Sequence, residues 1–502
     1  MTDEKASYGQ ILKSSSLMGG AAGINMLLGM VRTKFAAVLI GTTGVGLVAS
    51  FGAVQGLIGT LAGLGIQSSA VRDVAAAVAK NDDQAIGRAV LTLRRICWLT
   101  GLVGLLATVA LSPFISQLAF GSDQYTLDIA ALGLIILLGN LAGGQLALIQ
   151  GMRRIGDMAR ANILGSILGT FSTIGFYYWL GLRGIVPALV VLAALNLAIA
   201  WHYARRVPVP PVQLTWRQTF IEAASMVRLG LVFMWNGLLL SAVGYITITL
   251  ITQQEGLQAV GIYSAAFALS GLFVNFVLSA MGADYYPRLT GLAHDPAAMN
   301  KLVNEQTEIG LLLAVPGLLA TLVLAPWIIQ ILYTQAFTPA VELLRWFVLG
   351  CLGRVISWPL GFVMLALGKS RWYFLTETSF NVLHVMLVAV TLSTLGLVGV
   401  SIAFPILYIG YTLAVLLVGM RLTGFRWSLA ATKMIWTSAV LFLICMVLLE
   451  SLPFVPAMTL GILITAAASM VCMRGLVRLI GQEHRLTRAI FLVPGAKWVC
   501  ER

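Results

Sequence analysis

The chain has 502 residues, 59% of them hydrophobic and only 10% charged, with a mean hydropathy of +0.92. Soluble domains carry about 25% charged residues, so a soluble globular fold is excluded; the long continuous apolar runs read as spanning helices, not as the short alternating strands of a barrel. The formal net charge of +13 fits cations gathered in cytoplasmic loops, and no basic face with interleaved aromatics argues for nucleic acid.

At about 20 apolar residues per span, the pattern predicts about fourteen helices. The N-terminal ten residues are polar and acidic and lack the basic region and cleavage site of a secretory signal, so the first helix is expected to be retained. It runs over about 15–40 and the second over 44–69. A polar segment from Val71 to Arg95 precedes helices over 96–120 and 127–151. Arg153, Arg154 and Arg160 then lead into helices over 161–181 and 184–204. The clearest linker follows, Arg205-Arg-Val-Pro-Val-Pro-Pro-Val-Gln-Leu-Thr-Trp-Arg217, because its prolines stop a helix and favour extended chain.

The second half reads as helices over 225–252, 257–283, 307–333, 340–367, 372–395 and 398–421, then two more over 434–452 and 457–473 and a basic tail from Arg474 to Arg502. Every second loop is basic, from Arg72/Lys80/Arg88/Arg94/Arg95 through to Arg421/Arg426/Lys433, whereas the alternate loops hold Asp123, Glu255 and Glu450, with Arg183 the exception. Both termini are therefore expected in the cytoplasm.

An internal repeat supports this order. At an offset of 215 residues, Gly41, Val45, Gly46, Ala53, Gly56 and Leu57 recur as Gly256, Val260, Gly261, Ala268, Gly271 and Leu272. Six helices separate the copies, an even number, so both lie the same way in the membrane, as in a parallel repeat. The expected architecture is all-α and polytopic: a first lobe over 1–206, a cytoplasmic linker over 207–224, a second six-helix lobe over 225–422, and two additional helices with a basic cytoplasmic tail over 423–502.

The chemistry-bearing residues are few. Arg32 and Lys34 sit inside the first apolar run with no carboxylate beside them. A charge deep in hydrocarbon costs about 2.5–3.5 kcal/mol even on insertion scales, so the pair either snorkels to an interface or meets an anion in a cavity. Arg354 is a comparable cation in the second half, among small residues that suit close packing or a cavity wall. Arg345 and Glu342 are spaced for a local ion pair. Glu377 is either a carboxylate favoured near a helix N-terminus or a proton-coupling acid. His384, seven residues on, shares its face or simply packs. Asp284-Tyr-Tyr-Pro-Arg288 closes a helix, with Pro287 as the stop and Asp284 and Arg288 as a pair or a gate. Asn25, Asn140, Asn196, Asn236 and Asn275 read mostly as interhelical hydrogen-bonding groups.

Other chemistries lack support. The five cysteines (Cys97, Cys351, Cys445, Cys472, Cys500) are scattered and the four histidines lack ligand spacing, so neither a disulfide framework, nor a metal site, nor a cofactor is expected. Gly368-Lys369-Ser370 imitates the end of a phosphate-binding loop, but the glycine required five residues earlier is Val363. No paired carboxylates or nucleophile–base set argues for an enzyme.

The segment Lys34-Phe-Ala-Ala-Val-Leu-Ile-Gly-Thr-Thr-Gly-Val-Gly-Leu resembles the first-helix motif of O-antigen and enterobacterial common antigen translocases. Ala259-Val-Gly-Ile-Tyr-Ser, Asp284-Tyr-Tyr-Pro-Arg-Leu-Thr, Phe337-Thr through Glu342 with Arg354, and Gly368-Lys-Ser-Arg371 through Glu377 extend the likeness in order, to about residue 422. These Wzx-type flippases form the polysaccharide transporter branch of the MOP (MATE-like) superfamily. The resemblance implies a flippase of the bacterial inner membrane that moves an undecaprenyl-diphosphate-linked oligosaccharide between leaflets, with membrane lipids, a polysaccharide polymerase and a chain-length regulator as partners. It places the family's basic positions on Lys34 and Arg354 and its acidic position on Glu377. With Arg32 these cations form the candidate diphosphate site, and Glu377, His384, Asp284 and Arg288 the candidate coupling or gating groups. The two extra C-terminal helices resemble those of the lipid II flippases. A lipid II flippase, a MATE-like multidrug antiporter and a non-transporting scaffold of an envelope complex are the alternatives. An antiporter of cationic drugs would need cavity acids to outnumber bases.

Overall fold

The computed structural model describes residues 2–480; the basic tail expected from Arg474, with His484 and Cys500, lies outside the described residues beyond that point. Among the described residues every regular element is helical. In order these are α1 (Thr2–Leu39), α2 (Gly41–Gly63), α3 (Ile66–Ala79), α4 (Asp83–Phe120), α5 (Thr126–Gly151), α6 (Ile155–Leu180), α7 (Ile185–Ala204), α8 (Trp216–Gly291), α9 (Pro296–Val323), α10 (Ala325–Leu332), α11 (Ala340–Ala366), α12 (Ser370–Thr423), α13 (Leu429–Ser451) and α14 (Phe454–Ile480). Helices dominate because hydrocarbon offers backbone groups no partner, so each span must satisfy its own. Among the described residues eleven segments are long and apolar enough to cross a membrane. Three of them hold two helices each, divided at Gly181, Gly256 and Gly396. The chain is a multi-pass membrane protein of about fourteen spans.

The helices outrun the apolar segments. The polar stretch after Val71 is helical, as α3 and the first turns of α4. Asp82 starts α4 by accepting from the Ala85 amide at 2.9 Å, and Asp295 starts α9 by accepting from Ala297 and Ala298, both at 3.0 Å. Side-chain caps satisfy the orphan amides of a helix that begins outside the hydrocarbon, where hydropathy gives no signal. The helix expected over 307–333 is interrupted at Leu324, between α9 and α10. Pro287 does not stop α8, which runs through it to Gly291. An interior proline costs about 3 kcal/mol. Its neighbours Tyr285 and Leu289 are fully buried, worth about 1.5–3 kcal/mol for each large side chain, so packing outweighs the break. The Tyr285 hydroxyl donates to the Pro359 carbonyl at 2.8 Å, and burial pushes it well above the ordinary phenol range, so it stays a donor.

Two compact units emerge: residues up to Gly261 with Leu332–Thr334, and Ile262–Ile331 with the chain from Gln335 onward. In the first, Phe51, Ile129, Leu132, Tyr177 and Ile185 form a core shared by α2, α5, α6 and α7. In the second, Tyr285, Leu302, Val303, Leu360, Val363 and Phe425 do the same for the end of α8 with α9, α11 and α12. Here α13 and α14 pack on α9. Asn304 accepts from the Ser428 amide at 2.7 Å, and the Ser428 hydroxyl donates to Glu308 at 2.8 Å.

The repeat is written in the backbone as well as in the side chains. Left-handed residues Gly41, Arg153 and Gly181 recur 215 positions later as Gly256, Gly368 and Gly396. Gly184 lies against the Phe176 carbonyl, and Gly399 against that of Thr391 in the same way and at the same offset. Residue pairs 215 apart therefore occupy equivalent places through α5–α7 and α11–α12.

Within the first unit, α2 meets residues 256–261 backbone to backbone. A Cβ on Gly46 would strike the Leu257 carbonyl, and one on Gly261 would strike that of Thr42. Farther along α2, Thr60 and Ser241 hydroxyls lie 3.2 Å apart, and beyond its end Gly65 and Gly230 are again in backbone contact. Gly46→Val is expected to lower the unfolding midpoint of the purified protein, since overpacking costs about 1–3 kcal/mol. Gly52→Ala, where an added Cβ meets nothing within 4 Å, should leave it unchanged or raise it. A wild-type midpoint for Gly46→Val, read by thermal unfolding in detergent, would refute this contact.

Candidate functional site

α1 presents Asn25 and Arg32, seven residues and about two turns apart, to a cavity of about 550 Å³ inside the first unit. α2 adds Gln55, α6 adds Asn162 and Ser166 one turn apart, and α7 adds Asn196. Among the described residues no carboxylate lines this cavity. The Arg32 guanidinium has no hydrogen-bond or ion-pair partner among the described residues. Asn25 Oδ1 is buried and likewise unpartnered, so this asparagine is not the interhelical hydrogen-bonding group its setting suggests. Lys34 diverges from Arg32: two residues along a helix turn the side chain by roughly 200°, and its amine donates to the Tyr333 carbonyl. A cation in a cavity lined by neutral amides can hold an anion; it cannot neutralise a cation.

The second unit gathers three of the residues singled out from sequence. α12 folds back at Gly396, so its two arms face each other. Glu377 on the first arm accepts from the Tyr411 hydroxyl on the second at 2.6 Å. Phe380 meets Tyr411 edge-on at 5.3 Å between centroids, and His384 lies 6.1 Å from Phe404. Asn381 donates to the Glu377 backbone carbonyl at 2.8 Å. Arg354 enters from α11. The small residues beside it serve close packing: a Cβ on Gly353 would lie 2.9 Å from Tyr408 Cβ, and one on Gly350 would strike Phe404. Tyr408 is within electrostatic range of both Arg354 and Glu377. Arg354 and Glu377 form no ion pair among the described residues, and the Arg354 guanidinium is unpartnered there.

These two clusters occupy equivalent positions of the repeat. Gly139, Asn162, Ser166, Ala193 and Asn196 line the first. Exactly 215 positions later stand Arg354, Glu377, Asn381, Tyr408 and Tyr411. One backbone setting has thus been furnished twice, once with amides around a cation supplied by α1 and once with a cation, a carboxylate and two phenols.

The remaining residues stay apart. Asp284 and Arg288 pair at 3.2 Å on the last turns of α8, with side chains 76% and 59% exposed; an exposed pair contributes about 0–1 kcal/mol. The local pair expected of Glu342 and Arg345 does not close. Arg345 Nε is buried without a partner, and Glu450 as well as Glu342 lies within electrostatic range of the guanidinium.

The sequence profile of a family described as polysaccharide biosynthesis protein matches residues 37–342. The chain belongs to this family. Lipid III flippase of Escherichia coli (strain K12) is 25% identical over 411 residues, covering 80% of this chain and 96% of that relative. Among solved structures, the lipid II flippase MurJ in an inward closed conformation superposes with a TM-score of 0.68 at 16% identity, over 92% of this chain and 99% of that one. A multidrug resistance MATE family transporter of the MOP superfamily, inward-facing, gives 0.62 at 16% identity, over 80% and 95%. At that identity these structures speak for the fold. In this polysaccharide biosynthesis protein the family match ends before Arg354, Glu377 and His384.

Sequence reasoning missed Gln55, Asn162, Ser166, Tyr408 and Tyr411. The signal that finds them is the repeat offset, which carries Glu377 to Asn162 and Tyr411 to Asn196. A double-mutant cycle on Glu377→Gln and Tyr411→Phe is expected to give a coupling free energy of about 0.5–3 kcal/mol in unfolding by denaturing detergent. Additive effects would show that the hydroxyl does not act on the carboxylate.

Proposed function

We propose that this chain is a flippase that carries an undecaprenyl-diphosphate-linked oligosaccharide, an O-antigen or related surface polysaccharide repeat unit, across the bacterial inner membrane. The observation that carries this reading is a guanidinium in each unit, Arg32 and Arg354, set in an apolar helix without a counter-ion among the described residues. Cations so placed need an anion, and a diphosphate offers several oxygens for several charge-assisted hydrogen bonds. The 25% identity to lipid III flippase over 96% of its length supports a lipid-linked saccharide as the cargo. In this reading Arg32 and Arg354 recognise the diphosphate, joined by Lys34 once its amine leaves the Tyr333 carbonyl, while the lipid tail stays in the bilayer.

The lobes over 1–206 and 225–422, joined by the linker at 207–224, alternate access to the two sides, with both termini in the cytoplasm and 423–502 as an appended pair of helices and tail. Glu377 with Tyr411 and His384 forms the coupling group for an ion or proton gradient, and Asp284 with Arg288 gates the cytoplasmic end. The flippase works beside a polysaccharide polymerase and a chain-length regulator. That no carboxylate among the described residues lines the Arg32 cavity counts against export of cationic drugs. The fourteen-helix plan favours lipid II as a second cargo to be tested.

In proteoliposomes, Arg32→Gln and Arg354→Gln are expected to slow flipping of a diphosphate-linked oligosaccharide by roughly tenfold or more, because a hydrogen bond to a charged group contributes about 1.5–3 kcal/mol. Lys34→Gln should slow it too. Wild-type rates in all three, at matched amounts of folded protein, would overturn the diphosphate site. Transport of lipid II alone would reassign the cargo, and no flipping by wild type with any of several glycans would move the reading to an antiporter or a scaffold.

A further inference from the structure

A second cavity, of about 770 Å³, opens on the other side of the α5–α7 pair from the Arg32 cavity. α4 lines it with Arg94 and Trp98, α5 with Gln145, and the last turn of α7 with Trp201 and Arg205. Leucines and alanines make up most of the remaining wall, and among the described residues no carboxylate faces it.

The two arginines are placed differently from their neighbours. Arg95 is committed to the fold: it donates to the Leu214 carbonyl at 2.9 Å and to the Thr219 hydroxyl at 2.7 Å. Arg94, beside it in sequence, has no hydrogen-bond or ion-pair partner among the described residues. Arg205 lies over the Trp201 ring at 5.2 Å, with the His202 imidazole 3.4 Å from Nη2, so it also lacks an anion. Gln145 Oε1 is buried and unpartnered in the same cavity. Two cations and one acceptor therefore wait for a ligand that is anionic and also donates a hydrogen bond.

The surroundings say what kind of ligand. Trp98 and Trp201 are 57% and 54% exposed, at the end of the helices where the chain leaves its apolar run for the basic linker. Tryptophans at that level sit at the membrane–water interface, and basic pockets between spanning helices at that level take acidic lipid headgroups.

We propose that this cavity binds an anionic glycerophospholipid with a hydroxylated headgroup. The phosphodiester lies between Arg94 and Arg205, a headgroup hydroxyl donates to Gln145 Oε1, and the acyl chains leave past Trp98 and Trp201. The site is separate from the Arg32 cavity and does not depend on the flippase reading.

Native mass spectrometry of the full chain in detergent, titrated with phosphatidylglycerol, tests it. Arg94→Gln breaks no contact described above, so it keeps the fold and should weaken the tightest phosphatidylglycerol binding step severalfold. Arg94→Gln with Arg205→Gln should weaken that step by about tenfold or more, as expected when two cations leave an acidic lipid. Arg72→Gln, on an exposed side chain paired with Asp73, should not change it, and phosphatidylcholine should bind equally to all. Unchanged phosphatidylglycerol binding by Arg94→Gln and the double variant would overturn the site. So would displacement of the lipid by farnesyl diphosphate at lower concentration, which would assign the cavity to a polyprenyl carrier, or by inorganic phosphate, which would make it a simple anion site.

Discussion

A charge inside hydrocarbon must be answered by the protein, and much of this molecule is the form of that answer. Arg32 lines a cavity that also holds neutral amide side chains, with no hydrogen bond between them and the guanidinium among the described residues. Arg354 lies within electrostatic range of the Tyr408 phenol, again without an ion pair among the described residues. Neither guanidinium has an ion-pair partner among the described residues. A buried salt bridge at either place would have satisfied the cation and closed it to ligands.

The same constraint explains which parts of the fold were legible in the amino-acid sequence. Each span announces itself because nothing else accounts for twenty apolar residues in a row, and Arg32, Arg354 and Glu377 stand out because they violate that rule. Helix ends did not, because Asp82 and Asp295 set them by hydrogen bonds that hydropathy does not register. Pro287 misled because local propensity was outweighed by the burial of Tyr285 and Leu289. Gln55, Asn162 and Tyr411 were hidden for a different reason. Amides and tyrosines are tolerated on many faces of a membrane helix, and only the partner across the cavity or across α12 makes them functional candidates.

The equivalence of the two clusters adds a distinction that neither shows alone. Position for position, the first copy offers Gly139, Asn162, Ala193 and Asn196 where the second offers Arg354, Glu377, Tyr408 and Tyr411. Among these positions only the second copy carries a carboxylate. The first holds a charge fixed by an arginine from α1, a helix lying before the duplicated pair of clusters. The guanidinium of Arg32 and the carboxylate of Glu377 thus belong to different units.

The contact of α2 with residues 256–261 has a further consequence. Gly46 presses on Leu257 while Gly261 presses on Thr42, and these four residues are themselves two pairs of repeat equivalents. Each copy of the motif touches the other with the same atoms. That reciprocity defines an isologous contact, the kind a two-fold dimer makes. A half-length chain bearing one copy would meet a second molecule of itself through this surface without any new complementarity. The proline-rich stretch after Arg206 lies between the two copies, and because both are on one chain a substitution in either does not have to suit the other.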